Sequence, residues 1–131
     1  MTHTLRLFLL LEGASFVAAS LVHRGLLFAG YEHSQAAIAE SAIAIVLLIG
    51  LGLTWVWRAR ARAIGLAAQT AALIGTLVGV FTIVVGVGPR TAADVAYHIA
   101  ILGVLVCGLI VAVRSRTAGG HVQSPFRRRP A

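Results

Sequence analysis

Residues 63–87 read AIGLAAQTAALIGTLVGVFTIVVGV, and these twenty-five positions contain no charged side chain. A helix needs about 20 mostly apolar residues to cross the hydrocarbon core of a bilayer. A transmembrane strand would instead alternate apolar and polar residues over about 9–11 positions. Because lipid offers the backbone no hydrogen-bond partner, a continuous apolar run of this length predicts a transmembrane helix.

Three further apolar segments flank this run, so that the predicted spans are 7–28, 36–57, 63–87 and 95–113. The first of them reaches the required length only if it continues past His23 and Arg24 to Phe28. The pattern therefore predicts an all-α integral membrane protein, a bundle of four transmembrane helices in one domain over residues 1–116. Residues 117–131 are polar and rich in Arg, Gly and Pro, which predicts a disordered tail.

The composition excludes several classes of protein. Of the 131 residues 59% are hydrophobic and 11% are charged, whereas a soluble domain carries about 25% charged residues. All eleven basic residues are Arg, so a Lys Schiff base with retinal or pyridoxal is excluded. Cys107 is the single cysteine, which excludes an internal disulfide framework and a cysteine-based metal site within one chain.

The arginines predict the orientation in the membrane. Nine of the eleven precede the first span, separate the second from the third or follow the fourth, and only Arg24 and Arg90 lie on the other side. By the positive-inside rule both termini are cytoplasmic, in a multi-pass protein of the cell membrane. The basic cytoplasmic face would attract anionic lipid, and no motif points to nucleic acid.

The first segment also has a rival interpretation. Arg6, the apolar residues 7–11 and the small residues 18–20 loosely fit a signal peptide. Glu12 interrupts the apolar run, however, and the apolar character resumes after it. We therefore expect a first span, and a cleaved signal stays open.

Polar side chains cluster at the predicted outer ends of three spans. Candidate ligands for a transition metal are His23, His33, Glu40 and His98, because imidazole and carboxylate groups suit Zn, Cu and Fe. Asp94 and Tyr97 would lie behind these ligands, with Asp94 orienting His98 four residues further along the helix. His23 and His98 could instead ligate a haem, which would be non-covalent because the chain has no C-x-x-C-H sequence.

Two polar residues lie deeper on the inner side, where Glu12 and Gln69 are expected at a similar depth. Ionisable groups within spans mark proton relays and transport pathways. A four-helix chain of about this length with one acidic residue in its first helix resembles the small multidrug resistance transporters. The resemblance rests on Glu12 and the helix count, and implies proton-coupled transport through Glu12; the uneven arginine distribution departs from the dual topology frequent in that family.

A structural role is the remaining alternative. Asp94 could cap the fourth helix, Glu40 could pair with Arg24 or Arg90, and Glu12 could bond to Gln69. No arrangement of Ser, His and acid residues predicts a catalytic reaction. We therefore expect a small membrane subunit, in a homo-oligomer or a larger complex, that holds a metal or haem at its outer face. Proton-coupled transport and a purely structural assembly role are the alternatives.

Overall fold

The computed structural model describes residues 2–114, and it consists of four long helices. They are α1 (Thr2–His23), α2 (Ser34–Val56), α3 (Ala61–Val85) and α4 (Ala92–Arg114), with a 3-10 turn at Arg58–Arg60 between α2 and α3. Each of the four is long and apolar enough to cross a membrane. The prediction of an all-helical fold with four helices that are able to span a membrane is confirmed, and the predicted tail at 117–131 lies outside the described residues.

The bounds of the first helix differ from the predicted span. The helix begins at Thr2 and ends at His23, so it reaches spanning length without continuing to Phe28. Gly25 has a φ of 71°, a left-handed conformation that turns the chain out of the helix. The other three helices overlap their predicted spans to within one to three residues at each end. Gly86, with a φ of 89°, ends α3 in the same way.

The helices form an up-down-up-down bundle. Each helix packs against its two neighbours, and α1 also contacts α3 across the diagonal. The close approach of α1 and α3 depends on a small residue, since a side chain at Gly65 of α3 would collide with Leu5 of α1. Within the described residues, no Cα atom of α2 lies within 8 Å of one in α4. The bundle therefore has a close diagonal between α1 and α3 and an open diagonal between α2 and α4.

The interior of the bundle is apolar and its outer surface suits lipid. Leu5, Leu9, Phe16, Leu47 and Leu105 are almost fully buried and belong to one core. Large apolar side chains also cover the exterior of all four helices. An apolar exterior around an apolar interior is the pattern of a bundle surrounded by hydrocarbon.

Arginine side chains cap the C-terminal ends of three helices. Arg6 donates to Oγ1 of Thr54 at 3.1 Å and to its carbonyl at 2.6 Å, and its guanidinium lies 4.1 Å from the ring centre of Trp55. Arg62 donates to two carbonyls in the last turn of α4, and Arg90 does the same for α3. These side chains satisfy carbonyls that have no partner within their own helix.

Candidate functional site

His23 joins two carboxylates that come from two other helices. It is the last residue of α1 and is 4% exposed. Its Nδ1 atom lies 2.8 Å from Oε2 of Glu40 on α2, and its Nε2 atom lies 3.1 Å from Oδ1 of Asp94 on α4. We call these three residues the His23 cluster. The cluster bridges the open diagonal, where no Cα atom of α2 lies within 8 Å of one in α4 among the described residues.

The two hydrogen bonds of His23 fix the number of protons in the cluster. An ionised carboxylate only accepts, so a proton must lie between each ring nitrogen and its carboxylate partner. Either His23 is doubly protonated between two carboxylates, or it is neutral and one carboxyl group carries the second proton. In both states the cluster has a single negative charge. The states differ only in the position of one proton along a hydrogen bond.

Asp94 is held in place by the start of α4. The backbone N–H and the hydroxyl of Thr91 donate to Oδ2 of Asp94 at 2.9 and 2.6 Å, and Asp94 N–H donates back to Thr91 Oγ1 at 3.2 Å. This is a capping box, with Thr91 as the cap and Asp94 three residues later. Asp94 therefore contributes to the cap but is not itself the capping residue. Its other oxygen, Oδ1, bonds to His23.

A serine pair anchors α1 to α2 beside the cluster. The Ser20 and Ser41 hydroxyls lie 2.7 Å apart, and both bond to the carbonyl of Ala37. Arg24 donates to the two hydroxyls at 3.3 and 3.1 Å. The predicted pairing of Glu40 with Arg24 or Arg90 is therefore wrong, because Glu40 bonds to His23 while both arginines bond elsewhere.

The other two candidate histidines bond mainly to the backbone. His33 caps α2: its Nδ1 accepts from Ala36 N–H at 3.2 Å, and its Nε2 donates to the carbonyl of Val87 at 3.3 Å. His98 Nδ1 donates to the backbone carbonyl of Asp94 at 2.7 Å. The predicted orientation of His98 by Asp94 thus comes from the main chain, since the Asp94 carboxylate bonds to His23 and Thr91.

A cavity of about 140 Å³ lies beside Glu40, between α2, α3 and the start of α4. Glu40 and His98 are on its wall together with apolar residues such as Ile43 and Ile83. Oε1 of Glu40 is buried and has no hydrogen-bond partner. We call this space the Glu40 cavity.

A groove of about 530 Å³ lies on the other side of His23, between α1 and α4. Its wall includes His23, Asp94 and Tyr97. The hydroxyl of Tyr97 is buried without a partner, and its ring packs edge-on against Phe16 and His98. The His23 cluster therefore separates two spaces, with Glu40 on one and Asp94 on the other.

Glu12 and Gln69 form a second buried polar cluster, and both are 0% exposed. The structure brings them together: Gln69 Nε2 donates to both carboxylate oxygens of Glu12, at 3.0 and 3.1 Å. At 1.5 Å of rise per residue, Glu12 lies about 16 Å along α1 from His23. Phe16 of α1 and Leu105 of α4 lie between the two levels and are almost fully buried. An apolar layer thus separates the two clusters.

The predicted metal and haem ligands do not converge on one point. Within residues 2–114, no group of three or more His, Cys, Asp or Glu side chains lies in an arrangement that could hold a metal ion. His23 could become a ligand, to a metal or to haem, only by releasing one of its two carboxylates. His33 would have to give up its cap of α2 or its bond to Val87.

Sequence reasoning did not single out Thr91 or the serine pair. The spacing Thr91-Ala-Ala-Asp94 was a usable signal for the capping box, whereas Ser20 and Ser41 meet only after α1 and α2 pack. The chain matches no protein-family model, no curated protein and no solved structure at a significant level. The chemistry of the two buried clusters is therefore the basis for assigning a function.

Proposed function

We propose that this chain is a proton-coupled membrane transporter in which the His23 cluster takes up and releases the proton. The observation that carries the proposal is that both ring nitrogens of His23 bond to carboxylates. An imidazole can accept a proton at one nitrogen and release a proton from the other, which makes it a shuttle. Buried ionisable groups within membrane spans are characteristic of such relays.

The two carboxylates give the shuttle an entrance and an exit. Glu40 lies on the wall of the Glu40 cavity, and Asp94 lies on the wall of the groove between α1 and α4. A proton arriving at one carboxylate can pass through His23 and leave from the other. The relay thus links the Glu40 cavity to the groove between α1 and α4 through two hydrogen bonds.

Glu12 is the second proton site of the proposal. It is fully buried, and Gln69 is its hydrogen-bond partner in the described part of the chain. Phe16 and Leu105 lie between Glu12 and His23, and within residues 2–114 no hydrogen bond connects the Glu12–Gln69 pair to the His23 cluster. A proton therefore crosses only when the helices rearrange, which is the behaviour of a coupled transporter rather than of an open channel.

The orientation and the membrane are also part of the proposal. Five described arginines lie at the end of the bundle where α1 begins, and Arg24 and Arg90 lie at the other end. By the positive-inside rule, the arginine-rich end faces the cytoplasm of the cell, where it contacts anionic lipid. The His23 cluster then lies near the outer surface, and Glu12 lies on the cytoplasmic side of the apolar layer.

The experiment is a proton-flux assay in liposomes that contain a trapped pH-sensitive dye. A potassium gradient with valinomycin drives protons, and empty liposomes give the background rate. Because the carrier can rearrange without a co-transported solute, it should leak protons slowly: we expect slow flux above background for the unsubstituted chain and a loss of that flux for His23→Gln and for Glu12→Gln. Glu32→Gln is the matched control, because Glu32 is an exposed loop carboxylate outside the helices.

The control residue is ionised for local reasons that do not involve either cluster. Its own backbone N–H and that of Gly30, which donates at 2.9 Å, hold the pKa of Glu32 below its usual range. Flux that persists unchanged in both His23→Gln and Glu12→Gln would overturn the proposal. So would an equal loss of flux in Glu32→Gln, because the effect would then not depend on the buried clusters.

A further inference from the structure

Glu40 lines the Glu40 cavity and has one carboxylate oxygen that no group in the described structure satisfies. Glu40 is 5% exposed and uses Oε2 for its bond to His23, whereas Oε1 is buried and unpartnered. Leaving a buried polar atom without a hydrogen bond destabilises the folded state by about 1–3 kcal/mol, and more for a charged group. An acceptor of this kind on a cavity wall indicates a ligand that donates.

His98 supplies a second acceptor to the same cavity. Its Nδ1 must carry a proton, because its partner at 2.7 Å is the backbone carbonyl of Asp94, which can only accept. In the neutral ring Nε2 then has a free lone pair. Gly79 lies beside this nitrogen, since an added Cβ would stand 3.4 Å from Nε2, in van der Waals contact with it.

The size and the remaining walls of the cavity limit the ligand. A cavity of about 150 Å³ accepts benzene, a molecule of about six heavy atoms, so the volume of about 140 Å³ here fits a ligand of similar size. Ile43, Val78 and Ile83 contribute apolar side chains to the cavity wall, which also includes the hydroxyl-bearing Thr76 and Thr82. The ligand therefore needs N–H donors at one end and a short hydrocarbon part.

We propose that the Glu40 cavity binds a small primary ammonium ion of up to about six heavy atoms. The ammonium group has three donors and a positive charge, which match the free oxygen of Glu40 and the lone pair of His98. A metal ion fits less well, because protein zinc sites provide at least three ligands and no group of three or more His, Cys, Asp or Glu side chains within residues 2–114 could hold a metal ion. A quaternary ammonium ion has no N–H to donate.

This inference rests on the proposed function and names its substrate class. Glu40 uses one oxygen for the proton relay and the other for the cation. A cation at Oε1 stabilises the ionised carboxylate and so drives the shared proton toward His23 and Asp94. The bound cation and a proton on Glu40 therefore compete, which is the minimal requirement for exchange of one for the other.

The test is equilibrium binding of propylammonium to the purified chain in lipid nanodiscs, measured by calorimetry without any gradient. Tetraethylammonium and the neutral molecule 1-butanol are the comparison probes. We expect saturable binding of propylammonium and none of the other two. Removing the charge in Glu40→Gln should weaken binding by about 10- to 100-fold, the range for a charge-assisted hydrogen bond.

Two further variants keep the test decisive if Glu40→Gln does not fold. Gly79→Leu should abolish binding, because its side chain would be built against His98 on the cavity wall. Glu32→Gln should bind propylammonium normally, because Glu32 does not line the cavity. Equal binding by the Gly79→Leu variant, or of 1-butanol, would overturn the inference.

A separate measurement distinguishes a metal from an ammonium ion. Near-stoichiometric zinc, copper or iron in the purified chain, lost in His98→Ala, would overturn the ammonium assignment in favour of the metal site expected from the sequence. The binding assay and the flux assay also test the two proposals separately. Absent propylammonium binding with intact His23-dependent flux rejects only this inference, and intact binding without that flux rejects only the transport proposal.

Discussion

Gln69 donates to both carboxylate oxygens of Glu12, and the two residues lie in helices that pack across the close diagonal of the bundle. Gly108 of α4 packs against this pair. A Cβ atom at Gly108 would collide with Gln69 Nε2 and Glu12 Oε1. The polar pair therefore depends on the absence of a side chain at one position of α4.

Substitution Gly108→Ala should destabilise the bundle, because the new methyl group must displace a hydrogen-bonded pair that has no free space. Overpacking of this kind costs about 1–3 kcal/mol. Gly103→Ala is the control on the same helix, since no atom lies within 4 Å of its added Cβ. Unfolding of both variants by denaturant in mixed micelles measures the difference, and equal free energies of unfolding would contradict the close approach.

Removal of the partner amide in Gln69→Leu should also destabilise the fold. Glu12 would remain fully buried without its hydrogen bonds, at a cost of about 1–3 kcal/mol. The double substitution Glu12→Leu with Gln69→Leu should recover most of this loss, because neither polar group then remains unpaired. A double variant no more stable than Gln69→Leu alone would show that the pair is not the source of the effect.

The sequence predicted the helices well because the signal for them is local. A run such as 63–87 has one stable arrangement in lipid, and its ends follow from charges and glycines. The contact of Glu12 with Gln69 was also predictable, since both are isolated polar residues at a similar depth. The first helix was placed too late in the chain because its first residues, Thr2 to Arg6, are mostly polar, whereas Gly25 ends it after His23.

The partners of the polar residues could not be predicted to the same degree. Depth placed His23, Glu40 and Asp94 at one level, but depth does not show which side chains face each other. That depends on the rotation of each helix and on the open diagonal between α2 and α4. For the same reason, the sequence did not reveal that His33 bonds to the backbone while His23 bonds to two carboxylates.

His23→Leu should be the most destabilising single substitution in the His23 cluster. It would leave Glu40 and Asp94 buried without the group between them, and loss of one partner from a buried charged set costs about 3–5 kcal/mol. His33→Leu is the control at the same end of the bundle. It removes a helix cap, which is worth about 1 kcal/mol.

The second substitution Glu40→Gln should restore part of the stability that His23→Leu removes, because one carboxylate is then replaced by a neutral amide. The free energies of unfolding of the single and double variants give this coupling directly. Equal free energies of unfolding for His23→Leu and His33→Leu would show that the two carboxylate bonds of His23 do not stabilise the fold. The proposed relay would then lose its structural basis.

The orientation in the membrane is testable with single cysteines. In a Cys107→Ala background, which removes the exposed native thiol, Ala29→Cys places a thiol between α1 and α2, and Ala59→Cys places one between α2 and α3. Both positions are exposed. A membrane-impermeant maleimide added to intact cells should label Ala29→Cys at once and Ala59→Cys only after permeabilisation.

The physical reason for this expectation is the charge at the two ends. The turn that contains Ala59 carries Arg58 and Arg60, and translocation of such a short basic segment is disfavoured. The loop that contains Ala29 carries Arg24 and Glu32, whose opposite charges cancel. Labelling of Ala59→Cys in intact cells with protection of Ala29→Cys would reverse the orientation. The His23 cluster and the Glu40 cavity would then face the cytoplasm. The two sides of the membrane on which the proposed transporter takes up its cation and releases its proton would be exchanged.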